Sequence, residues 1–275
     1  MVSHVFTLLG ATVLLVTCSS KSSEEDTDYV LADTALDSVC STQCDNATPA
    51  IPTLEDSGGA GNVTTYGSVG DPEPSVGGAC NYGSTGIYYY AAAYVNLEPG
   101  DGLGLWNSGH ICGQCLRVRV PGDSGWKSVV VRITDKCPDD YCGIDLGGAP
   151  AKALMGIQPG RYDGEWTFVS CTGQDSLSDG VPALHVKEGS NSWWSLVQVR
   201  NPPTATLSIS WTSVSGGAGV FRYSTEAENF YRVADSVLAD TGKVTLHILF
   251  SDSSSLELTV PGNILATADT DLVLE

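Results

Sequence analysis

Residues 129–146 read VVVRITDKCPDDYCGIDL. Val129, Val130, Val131 and Ile133 form a β-branched run of the kind that favours a strand. The run is expected to break at Asp135, and Cys137-Pro138 closes off any helix or central strand. Cys137 and Cys142 are near enough in sequence to pin the turn between them. Asp135 and Asp145 then leave one strand–turn unit, on either side of a small Cys-bounded loop. Two readings of these acids compete. Asp readily caps turns, and strand ends are also where a rigid scaffold holds polar groups toward a ligand.

Outward from this stretch, 275 residues allow one large or two ordinary domains, and a hydrophobic fraction of 42% is enough to build cores. The 31 Gly and 13 Pro suit many short strands and turns better than helices. Residues 1–18 have the length and position of a secretory signal peptide, with the apolar run Val5 to Val16. Cleavage near Ser19 is expected, with lipidation at Cys18 as the rival. No later stretch approaches the ~18 apolar residues that cross a membrane. Nine Cys become eight once Cys18 is set aside, an even number that suits an oxidised, secreted protein. A zinc site built from Cys112, Cys115, Cys137 and Cys142 is the alternative use of those thiols.

The formal charge is −19. Residues 19–60 hold nine acids against Lys21, residues 61–180 thirteen against seven bases, and residues 181–275 ten against five. Acidity spread over the whole chain repels polyanions such as nucleic acid, pectate and anionic membranes. A neutral polysaccharide carries no such penalty.

Residues 19–60 are rich in Ser, Asp, Thr and Ala without apolar periodicity, and read as a disordered acidic linker. Asn46-Ala47-Thr48 and Asn62-Val63-Thr64 fit the N-glycosylation pattern. Residues 61–178 read as a first domain. Its strands are expected at Val63–Tyr66, Leu116–Val120, Trp126–Ile133 and Glu165–Cys171, with a short helix at Ala149–Ile157. IYYYAAAYV, residues 87–95, suits either a helix or a strand. A polar linker at 173–181 leads to a second domain, 182–275, with strands at Trp194–Arg200, Leu207–Trp211, Val244–Leu249 and Leu256–Val260 and a frayed tail after Pro261.

Five motifs recur in this order in expansins: Gly78-Ala79-Cys80, Cys112-Gly113-Gln114-Cys115, Ile133-Thr134-Asp135 with Cys137-Pro138, Gly143-Ile144-Asp145-Leu146, and His185 to Ser190 running into Trp193-Trp194. The chain resembles expansins over residues 61–262. The resemblance implies a mostly β protein: a six-stranded double-psi β-barrel followed by an immunoglobulin-like β-sandwich that binds carbohydrate. It also implies disulfides Cys80–Cys112, Cys115–Cys171 and Cys137–Cys142, which leaves Cys40 to pair with Cys44.

In that family the barrel groove is lined by a Thr, two Asp and an aromatic. By motif these fall on Thr64, Asp135 and Asp145. Cys137 stands where the aromatic would be, and Tyr66 or Tyr141 is expected to fill the space. Inverting endoglucanases of family forty-five share this barrel. They need an acid and a base about 6.5–9.5 Å apart, with room for water between them. Asp145 matches the proton donor, but Gly67-Ser68 stands where the base would follow, and the nearest acid is Asp71. Losing the base costs such an enzyme ~10²–10⁴-fold. Burial beside Asp135 is expected to raise the pKa of Asp145 and make activity acid-dependent.

On the second domain the family binds sugar rings on an aromatic row, which implies Trp193 and Trp194, with Tyr231 as the third member. Strict strand alternation instead puts Trp193 with the core residues Val197 and Val199, and Trp194 outward with Gln198 and Arg200. A bulge would reconcile the two readings.

The resemblance thus points to a secreted or cell-surface-tethered monomer that binds cellulose or another neutral β-glucan. It would loosen cell-wall polysaccharide contacts without hydrolysis and without cofactor or metal. The alternatives are a weak inverting endoglucanase with Asp145 as acid, and a non-catalytic carbohydrate-binding or adhesion protein held out on its acidic stalk.

Overall fold

The computed structural model describes residues 58–67, 78–83, 87, 89–94, 106–139, 142–155, 160–172, 177 and 180–274. The signal peptide, Cys18, the Cys40–Cys44 pair, Asn46, Asp71, Tyr141 and all but the last three residues of the acidic linker lie outside them.

The first six strands are β1 (Gly59–Thr65), β2 (Tyr90–Tyr94), β3 (Cys115–Gly122), β4 (Gly125–Cys137), β5 (Ile144–Leu146) and β6 (Tyr162–Val169). They close into a barrel in the order β1-β5-β2-β4-β3-β6. Exchanging β1 with β4, β2 with β5 and β3 with β6 returns the same ring. The same exchange maps the parallel pair β1–β5 onto the parallel pair β2–β4. This internal twofold is the double-psi arrangement. Period-two patterning supplies the interior: Val63, Ala91, Ala93, Leu116, Val118, Val120, Val131, Ile133, Ile144, Leu146 and Phe168 form one buried cluster. A helix, α1 (Gly148–Met155), follows β5.

One open reading is resolved here and two sequence expectations shift. Within the IYYYAAAYV segment Tyr90–Tyr94 is a strand, and its Ala91 and Ala93 are small enough to line a crowded barrel. Strand β4 does not break at Asp135. It runs through to Cys137, and a register slip between Ala91 and Ala92 of β2 absorbs Thr134. Strand β1 begins at Gly59, inside the expected linker, because it pairs along β6 from Gly59↔Trp166 onward.

The second half holds β7 (Ala183–Val186), β8 (Leu196–Arg200), β9 (Thr206–Ser213), β10 (Ala218–Val220), β11 (Arg222–Tyr223), β12 (Tyr231–Arg232), α2 (Asp235–Leu238), β13 (Lys243–Phe250), β14 (Ser255–Pro261) and β15 (Thr270–Val273). A four-stranded sheet, β10-β9-β13-β14, faces a five-stranded one, β11-β12-β8-β7-β15. Leu184, Val186, Val197, Val199, Ile209, Leu246, Ile248 and Phe250 fill the space between them. The tail after Pro261 is not frayed. It makes a 3-10 turn at Gly262–Ala266 that buries Leu265, then pairs as β15 along β7.

Barrel and sandwich fall in one compact unit of the chain, Asn46–Glu275. Their joint includes a buried set of polar contacts. Gln198 and Asn229 each donate from a side-chain amide to the carbonyl of Cys80, at 2.8 and 3.0 Å. Ser251 donates to Gln114 Oε1 at 2.7 Å, and Arg132 donates to the carbonyl of Pro202 at 3.0 Å. Gly113 allows the close approach. Its φ is +83°, and a Cβ there would meet the Pro202 ring at 2.7 Å.

Candidate functional site

The barrel site is a row across four strands. Register places Thr64 of β1 beside Asp145 of β5, Asp145 beside Ala92 of β2, and Ala92 beside Asp135 of β4. The neighbours along each strand point into the barrel: Val63, Ile144 and Leu146, Ala91 and Ala93. The row therefore lies on the outer face. Two strand spacings of ~4.8 Å put the Cα atoms of Asp135 and Asp145 about 10 Å apart, on either side of Ala92, which Tyr66, Cys137 and Cys142 cover.

Thr64 Oγ1 donates to Asp145 Oδ1 at 2.7 Å. The pKa of Asp145 is raised, in the direction expected from its sequence. Burial is the largest cause, the Thr64 hydrogen bond opposes it, and the negative charges of Asp139 and Asp135 add to it. A half-buried carboxyl with one oxygen fixed and a tightened grip on its proton can donate to a sugar oxygen as well as accept from a hydroxyl.

Asp135 plays a different part. Its Oδ1 accepts from the backbone N–H groups of Ala79 and Lys136, both at 2.8 Å. It ties the strand end to the Gly78–Cys80 segment, whose Cys80 carbonyl the sandwich holds. Tyr66 packs beside Ala92, Cys137 and Cys142 and meets Tyr90 edge-on at 5.7 Å. It thus occupies the place next to Cys137 where an aromatic was expected.

The disulfides Cys80–Cys112, Cys115–Cys171 and Cys137–Cys142 are formed. The zinc alternative fails because all four of its thiols are consumed in them. Among the described residues no group of three or more His, Cys, Asp or Glu could hold a metal ion.

On the sandwich, neither strand alternation nor a bulge applies to the tryptophan pair. Strand β8 starts at Leu196, and Trp193-Trp194 sits in a tight turn closed by the bridge Asn191↔Trp194. Trp193 is 85% exposed, and Trp194 is half-buried. Asn191 Oδ1 accepts from the N–H groups of Trp193 and Trp194 at 2.9 and 3.2 Å. Arg232 donates to the Trp193 carbonyl at 3.1 Å. Trp194 Nε1 donates to Glu226 at 3.1 Å. The turn, not a strand face, presents the indole.

Tyr231 is not a member of this row. It is 3% exposed, and its hydroxyl donates to the Thr206 carbonyl at 2.8 Å. Phe221 and Phe230 are buried as well. The β12 side chain that turns inward must fill the core, and the Tyr hydroxyl is accommodated there because a carbonyl meets it. Tyr223 stacks on His110 of the barrel, ring centroids 3.8 Å apart. Burial holds His110 down at about 4, so this stack is uncharged at neutral pH.

Sequence reasoning missed Asn191, Arg232 and Glu226. Of these only Asn191 left a sequence signal, since Asn two residues ahead of a turn position caps its N–H.

No family model matches the chain. Expansin-A13 of Arabidopsis thaliana is 34% identical over 88 residues, 30% of this chain and 31% of that protein. Expansin-like protein 1 of Dictyostelium discoideum is 29% identical over 125 residues, 42% of each chain. The chain therefore spans about a third to two fifths of the length of these curated relatives. The crystal structure of the apo expansin of Clavibacter michiganensis superposes with a TM-score of 0.55 at 19% identity, covering 78% of this chain and 95% of that one. A mutant of the same expansin in complex with cellohexaose superposes at 0.53 with 20% identity. The similarity to expansins that the motifs carry is borne out by sequence and, separately, by fold.

Proposed function

We propose that this chain, expansin-like in sequence and fold, binds a neutral β-glucan such as cellulose and loosens noncovalent contacts in a cell wall without hydrolysis. The observation that carries the reading is the pairing of two surfaces in one compact unit. One is a row holding Thr64, Asp145 and Asp135 on the barrel. The other is an indole, Trp193, left 85% exposed by a turn whose backbone is tied down by Asn191 and Arg232. A rigid exposed aromatic offers apolar area to the CH-rich face of a sugar ring at little entropic cost. The charge of −19 selects against acidic polymers. A bacterial expansin of this fold has been crystallised in complex with cellohexaose, which supports the ligand class. The disulfides support an extracellular setting.

In this reading the sandwich, within residues 182–275, holds the protein on the polymer. Thr64, Tyr66 and Asp145 of the barrel engage one chain, and Asp135 fixes the rim. The test is retention on cellulose, chitin, xylan and peptidoglycan with a parallel reducing-end assay. Wild type should be retained on cellulose and release no sugar. Trp193→Ala/Trp194→Ala should lose retention, and Asp145→Ala should keep retention while losing the ability to extend loaded cellulose strips. Equal retention of all variants would overturn the proposal.

One observation favours weak inverting hydrolysis as the second reading: two carboxylates flank Ala92, and one of them holds its proton more tightly than usual. New reducing ends that vanish in Asp145→Asn would select it.

A further inference from the structure

The loop Ser224–Asn229, sequence STEAEN, stands between the two surfaces. Ser224 Oγ accepts from the N–H groups of Glu226 and Ala227, at 3.1 and 3.2 Å, and so fixes the turn. Asn229 closes the loop with a left-handed φ of +64°. Its N–H donates to the Tyr223 hydroxyl at 2.6 Å, and that hydroxyl donates in turn to the Ser108 carbonyl of the barrel at 3.2 Å. The loop's foot is therefore locked to the barrel.

Its two carboxylates point to different targets. Glu226 accepts from Trp194 Nε1 at 3.1 Å. Glu228 accepts from Lys136 Nζ with both oxygens, each at 3.2 Å, and its carbonyl accepts from Asn81 Nδ2 at 3.0 Å. Lys136 directly follows Asp135, and Asn81 directly follows Cys80. One six-residue loop thus grips the tryptophan turn with one side chain and the rim of the carboxylate row with another.

We propose that Glu226 and Glu228 are positioning residues that set the register between the tryptophan plate and the barrel row, so that both act on a single glucan chain. The inference rests on the proposed glucan reading and adds to it the element that couples binding to loosening. The Lys136–Glu228 pair is solvent-exposed, with side-chain exposures of 42% and 36%. Exposed pairs contribute little to stability, so losing this one should leave the fold intact and disturb only register. A stability requirement alone does not explain why the loop spends both acids on the two halves of the site.

The experiment uses the full chain and two separate readouts: adsorption to cellulose, and extension of cellulose strips under constant load. Glu228→Lys should adsorb as wild type does but lose extension activity by about two- to fivefold, the range set by an exposed ion pair. The swap Lys136→Glu/Glu228→Lys should restore extension. Glu226→Ala should weaken adsorption by up to about tenfold, and Glu226→Gln, whose amide oxygen still accepts from the indole, should not. Asp145→Asn and Trp193→Ala run alongside as controls on the underlying reading. If they lose function while Glu228→Lys extends strips like wild type, or the swap fails to rescue, the register proposal falls and the glucan reading stands. If the controls are themselves silent, the glucan reading falls first.

Discussion

A half-buried carboxyl and a hydroxyl that opposes the effect of its burial define the chemistry of the barrel row. Desolvation raises the pKa of Asp145 above its ordinary value, and the Thr64 hydroxyl, by donating to the ionised form, pulls it partway back. Removing the donor should therefore raise it further. In Thr64→Val the carboxyl ¹³C shift of residue 145 is expected to titrate at higher pH than in wild type; an unchanged or lower midpoint would refute the assignment of causes. The sign of the linked stability follows. The folded state binds this proton more tightly than the unfolded state does, so the group favours folding below the ordinary carboxylate range of about 4. That contribution is lost as pH rises through the raised value. Asp145→Asn, which keeps an acceptor for Thr64 and cannot ionise, should melt higher than wild type near neutral pH, and the gain should shrink in acid. The sequence motif placed Thr64, Asp145 and Asp135 correctly in one neighbourhood. It did not show that Asp135 spends its Oδ1 on backbone N–H groups from Ala79 and Lys136, because Ala79 arrives from a segment 56 residues away.

The elements divide into those whose pattern is local and those whose pattern is imposed. Strands β3 and β13 alternate cleanly in sequence and in burial, so period two was enough to find them. The tryptophan turn defeated the same rule. Alternation assigned Trp193 to the core because it treated residues 193–200 as one strand, whereas Asn191 arrests the chain in a turn and the strand starts at Leu196. Tyr231 failed in the opposite way. Its hydroxyl suggested exposure, but strand β12 aims the ring at the sandwich core, and the Thr206 carbonyl compensates the buried donor. That assignment has a direct consequence. Tyr231→Phe should leave cellulose adsorption unchanged and lower stability by roughly 1 kcal/mol, the net worth of a typical buried hydrogen bond. Denaturant unfolding beside an adsorption isotherm checks both halves. A loss of adsorption with intact stability would return Tyr231 to the sugar-binding surface.

At the scale of the molecule, the hydrogen-bonded part of the joint between barrel and sandwich was invisible in the sequence because it is built from polar residues. Gln114, Gln198 and Asn229 look like surface positions, and their partners lie as many as 149 residues away. Yet Gln114 and Gln198 are fully buried. A buried amide is costly unless it finds partners: Gln198 Nε2 reaches the Cys80 carbonyl across the joint and the Asn229 carbonyl, while its Oε1 meets no donor. Gln114 shows the logic. Its Oε1 accepts from Ser251 of the sandwich, while its Nε2 donates to the carbonyls of Cys115 and Val169, which end two barrel strands. The two halves should therefore unfold together, because parting them leaves these groups without protein partners in the remaining fold. Calorimetry on the full chain is expected to show one transition. Gln114→Ala, which orphans the Ser251 hydroxyl and frees two carbonyls, should lower stability by about 1–3 kcal/mol. Two well-separated transitions in the wild-type protein would mean that barrel and sandwich are merely neighbours. A plate and a row on two loosely joined bodies could not hold one stiff polymer chain in register, and the coupling assigned to Glu226 and Glu228 would lose its mechanical basis.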